Sequence, residues 1–526
     1  MTKEKSMKKL IICGMVLMTS LAFTSCDSFL DTLPDNRAEV NNETKITNLL
    51  VSAYPQSYPV VLWEMSSDNV MDNGSMYGVE NKATEDAYLW KEITYTATDS
   101  PQSLWNHCYM SIAAANQALQ AIEELGGGER LNPQKGEALM CRAFAHFILA
   151  NTFCEAYNPN TADSKLGIPY ATKLEDEVAP QYSRGTLAET YQNIEKDLQQ
   201  ALPLIDDNLY KVSKYHFNKK AAYAFAARFY LFYVQQDKSN YDKVITYANA
   251  VLGSDPTKMV RNYENELGMY DNPSNLADAY INAKTSANLM LQSIYSNWPT
   301  IYGPTIVNQR YGMAREICEG ETLWAPGVWG SATNLFYESL NGMTQKLSFP
   351  KYGSYMEYTD KQNGVGYMHT VIDVFTAEET LLCRAEAEIM KGTAYYEQAA
   401  ADLNVWVKAH AASPEKVSEY TWRQYVNYYT NLNYSSESTR TPKKKLNHPL
   451  FTLDSYQENF IHALLHIRRM ECIHSGMRWL DVKRWGIEIT HNREGQSSDQ
   501  LTKNDLRRAI QLPLDVISSG LEANPR

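Results

Sequence analysis

Arg468-Arg469-Met470-Glu471-Cys472-Ile473-His474-Ser475-Gly476-Met477-Arg478-Trp479-Leu480-Asp481-Val482-Lys483-Arg484-Trp485-Gly486 is the stretch from which the rest of the chain is read. Arg478, Asp481 and Arg484 recur every third residue, which predicts an ion ladder along one helix. Trp479 and Trp485 are expected to bury against neighbouring helices. These residues stabilise a fold; they do not make a reactive site. Just upstream, His462 and His466 stand four apart on a predicted helix, which is metal-ligand spacing. No third ligand completes a frame, so they read as packing or surface histidines.

Working outward, the apolar pattern is that of paired helices. Tyr109, Ile112, Ala113, Asn116, Leu119 and Ile122 share one face over 105–124. Gly126-Gly127-Gly128 breaks that helix, and Asn132-Pro133 opens the next, which runs to about Phe153. Thr186 with Glu189 predicts a capping box and a helix to about Leu202. Residues 221–256 hold two helices rich in small residues, a unit of tetratricopeptide length. A weaker copy spans 380–409. Stacked pairs of this kind present a concave face to protein or peptide.

Two stretches break this pattern. Residues 257–372 are rich in Tyr, Asn, Gly, Ser and Trp, with Thr305-Ile306-Val307 and Leu347-Ser348-Phe349 as candidate short strands. Residues 60–90 hold Trp63, Asp68, Asn69, Asp72, Tyr77 and Trp90. Long irregular segments in a large domain are usually functional.

At the N-terminus, Lys3, Lys5, Lys8 and Lys9 precede a short apolar run, Leu10 to Phe23, which closes on Thr24-Ser25-Cys26. Residues 1–25 are expected to be a secretory signal. Cys26 is expected to be acylated, with Phe23 standing where Leu is usual in a lipobox. The alternative is an ordinary signal with an incidental cysteine. No second apolar run of spanning length follows, so the lipid would be the only membrane attachment.

The 526 residues carry a formal charge of -12. Four Lys and one Glu in the signal leave about -15 for the remainder, which argues against nucleic acid. The longest basic run, Lys443-Lys444-Lys445, reads as a solvated loop. Tyr is abundant, at 36 residues, and suits both helix packing and the faces of sugars. Of the cysteines, Cys108, Cys141, Cys154, Cys318, Cys383 and Cys472 lie in apolar patterns without C-x-x-C spacing and are expected to be mostly buried free thiols. G-x-S-x-G, H-E-x-x-H and Walker frames are absent, and no carboxylate pair stands in a glycosidase frame.

The quoted stretch resembles the C-terminal signature of the SusD/RagB family, an E-R-x-x-E-L helix leading into E-G-x-R-W-x-D-L-x-R. Arg468, Glu471, Gly476, Arg478, Trp479, Asp481 and Arg484 match it, while Ile467 and Ser475 replace two acidic positions. Cys26-Asp27-Ser28-Phe29-Leu30-Asp31 with Pro34, Gly136-Glu137-Ala138 with Arg142-Ala143-Phe144, Gly167-Ile168-Pro169-Tyr170, Leu512-Pro513 and Asn524-Pro525 resemble further family segments in order.

The resemblance implies a mostly α SusD-like fold. Tetratricopeptide-type helix pairs form its scaffold, and an irregular, loop-rich part with a few short strands binds ligand. It divides the chain into a signal at 1–25, an N-terminal region at 26–235, and a C-terminal region at 236–526 that contains the variable segment 257–372. It implies a lipid-anchored protein of the outer membrane, displayed at the surface, that captures a glycan for a SusC-type TonB-dependent transporter. No cofactor, metal or nucleic acid is implied, and no enzymatic activity. By position, the candidate ligand contacts are Trp63, Asp68, Asn69, Asp72, Tyr77, Trp90, Trp298, Tyr302, Arg310, Tyr311, Trp324 and Trp329. A RagB-like peptide binder and a repeat scaffold without ligand are the alternatives.

Overall fold

Helices α1 (Glu43–Leu50), α2 (Val60–Ser66) and α3 (Lys82–Tyr88) lead into a stack of longer ones. These are α4 (Pro101–Glu124), α5 (Asn132–Phe153), α6 (Leu187–Ala201), α7 (Lys219–Phe232) and α8 (Ser239–Leu252). The chain is a computed structural model that describes residues 40–79, 81–175, 182–270, 272–302, 309–331, 340–341 and 347–526. The expected signal, Cys26 and the Thr305–Val307 strand lie outside the described residues. Glu43–Arg526 form one compact unit.

Local chemistry explains the helix starts. Ser100 caps α4, with Pro101 in the first turn. Thr186 and Glu189 form the expected capping box on α6, at 3.1 and 2.8 Å. Asn218 caps α7, and Gly253, with φ of 67°, ends α8. The second repeat copy is α10 (Ala377–Lys391) and α11 (Tyr396–His410), reached after α9 (Arg315–Glu321). Then come α12 (Trp422–Thr430), α13 (Ser455–Glu471) and α14 (Met477–Arg484). The long helices pack consecutively, α4 on α5, α5 on α6, α7 on α8, α8 on α10 and α10 on α11.

The segment between the repeats has more strand than its sequence suggests. Strands β2 (Asn288–Tyr295), β6 (Tyr355–Asp360) and β7 (Val365–Thr376) form an antiparallel sheet in the order β2-β7-β6. Strand β2 is buried at almost every position, so it lacks the alternation that marks a half-exposed strand. Three two-stranded ribbons complete the set. They are β1 (Met71–Asp72) with β3 (Tyr311–Gly312), β4 (Leu340–Asn341) with β5 (Leu347–Ser348), and β8 (Ile489–Arg493) with β9 (Gln496–Leu501).

The C-terminal motif acts as the lock, with one correction. The Asp481–Arg484 rung forms at 2.7 Å, but Arg478 does not join it. Arg478 reaches Asp68 instead, Asp481 is shared with Arg468, and Arg484 also holds Glu386. A buried motif contacts whatever packs on it, so its charges leave the helix. Lys483 caps the end of α5 by donating to the carbonyls of Asn151 and Cys154. Trp479 and Trp485 are buried. Gly476 has φ of +78°, and a Cβ there would lie 2.8 Å from the Cβ of Trp63, so only glycine fits. The six cysteines 108, 141, 154, 318, 383 and 472 are free and buried. His466 meets the Tyr429 hydroxyl at 2.7 Å, and His462 lies 3.7 Å from Glu458.

Candidate functional site

The turn after α2 carries Asp68 and Asn69 straight into the lock. Arg478 grips the Asp68 carboxylate at 2.7 and 2.9 Å. Arg469 donates to the Asn69 side chain, the Asp68 carbonyl and Glu321. Lys444 closes the cluster on Glu321 at 2.8 Å. Burial raises the Asp68 carboxyl, but Arg469, Arg478 and Lys444 override it and hold it well below the usual range. Burial likewise opposes Glu321, and Lys444 and Arg469 bring it to about 2. Lys443 donates to the Tyr429 carbonyl and is buried, so the basic run is pinned inward at two of its three residues, not solvated.

Four residues on, a second buried carboxylate pairs with an arginine that is part-exposed. Asp72 in β1 takes a bidentate pair from Arg310 at 2.8 and 2.8 Å, and the amides of Gly74 and Glu494 complete its shell. Burial pushes this carboxyl up, and Arg310 with the two amides outweighs it, leaving it below its ordinary value. Behind the pair stands a ladder of rings. Tyr311 stacks on Tyr88 at 4.5 Å, Tyr88 on His491 at 4.2 Å, and His491 on Trp90 at 4.0 Å. Beyond Asp72 the loop 73–79 turns outward, with Met76 92% exposed and Tyr77 half-buried.

Beside this rim opens a cleft of about 370 Å³. Met71, Glu316, Ser435, Ser436, Arg440, Thr490, Asn492 and Ser498 line it, with Asp68 and Lys444 at its base. The volume falls in the range of small-molecule sites, roughly 300–1,000 Å³. Its walls offer hydroxyls, an amide, carboxylates and a guanidinium, which suits a ligand rich in hydroxyl groups. Helix α9 borders it. Glu316 lines the cleft, and its neighbour Arg315 lies 5.3 Å from the ring of half-buried Trp324.

The structure thus sorts the twelve candidates. Trp63 is 1% exposed and donates to Thr152, and Trp90 donates to the Ser66 carbonyl. Trp298 is fully buried beside Tyr302 and His474. Tyr302, Tyr311 and Trp329 are also buried, the last against His466. Asp68 and Asn69 are consumed by the lock. Seven of these eight are closed off by packing, while Asp68 reaches the cleft base with its carboxylate already held by Arg478. Of the other four, Arg310, Tyr77 and Trp324 are half-buried and Asp72 is buried behind Arg310; none lines the cleft, and Asp72 meets its wall by accepting from the Asn492 side chain through its carbonyl. Residue-level reasoning missed Ser435, Ser436, Arg440, Thr490, Asn492 and Ser498. The polar run His491-Asn492-Arg493-Glu494-Gly495-Gln496-Ser497-Ser498 was a legible hairpin signal for part of it.

Residues 28–231 match the model of the SusD-like family, described as starch-binding and associating with the outer membrane. Among solved structures, a SusD superfamily protein of Bacteroides thetaiotaomicron superposes with a TM-score of 0.61 at 18% identity, covering 91% of this chain and 98% of that one. A SusD-like carbohydrate-binding protein of Bacteroides vulgatus gives 0.61 at 15% identity, covering 90% and 95%. A SusD superfamily protein of Bacteroides fragilis gives 0.60 at 16% identity, covering 90% and 96%. No curated protein matches the chain. The identities are low and speak for the fold, and the fold agrees with the matched N-terminal segment and with the C-terminal motif. Residues 28–231 are similar to the SusD-like family, and the chain shares its fold with these SusD superfamily structures.

Proposed function

We propose that this protein captures a glycan in the cleft beside Asp72 and Arg310 and hands it to a SusC-type TonB-dependent transporter. The observation that carries the reading is the open, hydroxyl-lined cleft, and the match of residues 28–231 to a family described as starch-binding supports it. Capture needs no covalent step: sugar hydroxyls bond to Ser, Thr, Asn and Arg, and ring faces stack on Trp324 and Tyr77. Retention at the outer membrane would come from a lipid on Cys26, exposed once the signal 1–25 is removed. None of the helices among the described residues is long and apolar enough to cross a membrane.

The test is a binding screen of the soluble body, Asp27–Arg526, against a glycan array and a peptide pool, with hits titrated by calorimetry. Saturable glycan binding supports the proposal, and Trp324→Ala is expected to weaken it about tenfold, the loss of roughly 1.4 kcal/mol. Binding confined to peptides would replace it with a RagB-like role.

A further inference from the structure

Two sets of three helices carry the same clasp. In the first, Arg142 of α5 grips Asp197 of α6 at 2.7 and 2.7 Å and donates to the Asn116 side-chain oxygen of α4 at 2.8 Å. In the second, Arg384 of α10 grips Asp402 of α11 at 2.8 and 2.6 Å and donates to the Asn249 oxygen of α8 at 2.7 Å. The same nitrogens meet the same oxygens in both, so the residue one turn further along each middle helix occupies an equivalent place. That residue is His146 in the first clasp and Glu388 in the second.

The first clasp is occupied by the chain's own segment 168–173. Asn116 donates to the carbonyls of Ala171 and Lys173 at 3.2 Å each. Arg142 donates to the Thr172 carbonyl at 3.3 Å, and the Ala171 amide donates to His146 at 3.2 Å. Every one of these bonds goes to main chain. Under that segment Asn116 is only 3% exposed.

The second clasp holds nothing comparable among the described residues. Asn249 is exposed, and its amide nitrogen makes no hydrogen bond there. Glu388 is 6% exposed, yet its Oε2 has no partner. A buried polar atom without a partner costs about 1–3 kcal/mol, and each such atom calls for an explanation.

We infer that the second clasp is a docking site for an extended polypeptide segment, held through its main chain by Asn249, Arg384 and Glu388. By analogy with the first clasp, Asn249 donates to two alternate carbonyls, Arg384 shares its outer nitrogen with the carbonyl between them, and Glu388 takes the amide of the residue that carries the first. Burial and the neighbouring Asp402 push the Glu388 carboxyl up to about 8. It therefore keeps its proton at neutral pH and accepts a peptide N–H without burying a bare charge. The segment in the first clasp adds one side chain, Tyr170, whose hydroxyl donates to Asp197 at 2.6 Å and whose ring stacks on His146 at 3.8 Å, so the second is expected to favour a tyrosine at that one position and to tolerate many residues at the others. This site lies on the helical stack and does not depend on the glycan reading.

The probe is a labelled peptide with the sequence of residues 167–174, acetylated and amidated, titrated into the body Asp27–Arg526 and followed by fluorescence anisotropy. Saturable binding is expected. Asn249→Ala, a change at an exposed residue, should weaken it about tenfold, and Glu388→Leu should also weaken it. A peptide N-methylated at the position of Ala171 should bind at least tenfold more weakly. Trp324→Ala should bind the peptide as the parent does, which separates this site from the cleft. The absence of saturable binding at millimolar peptide would overturn the proposal. So would equal affinity for Asn249→Ala or for the methylated peptide.

Discussion

Asp68 and Asp72 lie four residues apart, and each holds an arginine through two hydrogen bonds, yet they do different work. Asp68 lies at the cleft base, enclosed by Arg478, Arg469 and Lys444, all of them largely buried. Asp72 is as buried as Asp68, but its partner Arg310 retains 22% of its side-chain exposure at the rim, where Arg478 retains 3%. The difference teaches where to look for a ligand. A buried ion cluster has exhausted its hydrogen-bonding capacity on the protein, whereas a rim pair can still exchange partners with solvent or sugar.

The comparison breaks most visibly if the core pair is removed. Asp68→Ala leaves Arg478 buried without its carboxylate, so a loss of about 3–5 kcal/mol is expected in urea unfolding. A loss below about 1 kcal/mol would mean that Asp68 behaves like the rim residue.

The pH dependence of stability should be next in size, on the order of 2 kcal/mol on each limb. Glu321 and Glu471 are held at about 2, so their contribution is complete above the ordinary glutamate value and is lost as pH falls toward 2. Glu378 is pushed up to about 7 and Glu388 to about 8, chiefly by burial. Their contribution is complete below the ordinary value and is lost as pH rises through 7 and 8. Thermal unfolding across pH 2–9 should therefore pass through a maximum on the acid side of neutrality. A maximum above pH 8 would contradict the assignment.

Arg310→Ala sharpens the contrast at the rim. Asp72 keeps its two amides, so a stability loss of only about 1 kcal/mol is expected, with a larger relative loss in glycan affinity. Equal losses in the two measurements would make Arg310 structural.

Much of this fold was legible residue by residue. The Thr186–Glu189 capping box, the Asn132–Pro133 helix start and the small-residue repeat at 221–256 depend on neighbours in sequence. Strand β2 was not legible, because its first five residues, 288–292, are buried without a break and have no periodicity to separate strand from helix. The site was only partly legible for a related reason. Whether Trp63 meets solvent is decided by a partner 89 residues away, Thr152. Likewise, Ser435 and Ser498 meet in one cleft only because β8–β9 folds back beside β1.

The most direct test of glycan capture in the cleft is to fill it. Ser436 is exposed and lines the cleft, so Ser436→Trp should leave the unfolding temperature unchanged. In calorimetric titration of a glycan that the parent binds, the account expects binding to fall at least tenfold in this variant. A folded Ser436→Trp protein that binds the glycan as tightly as the parent would contradict the placement of the site.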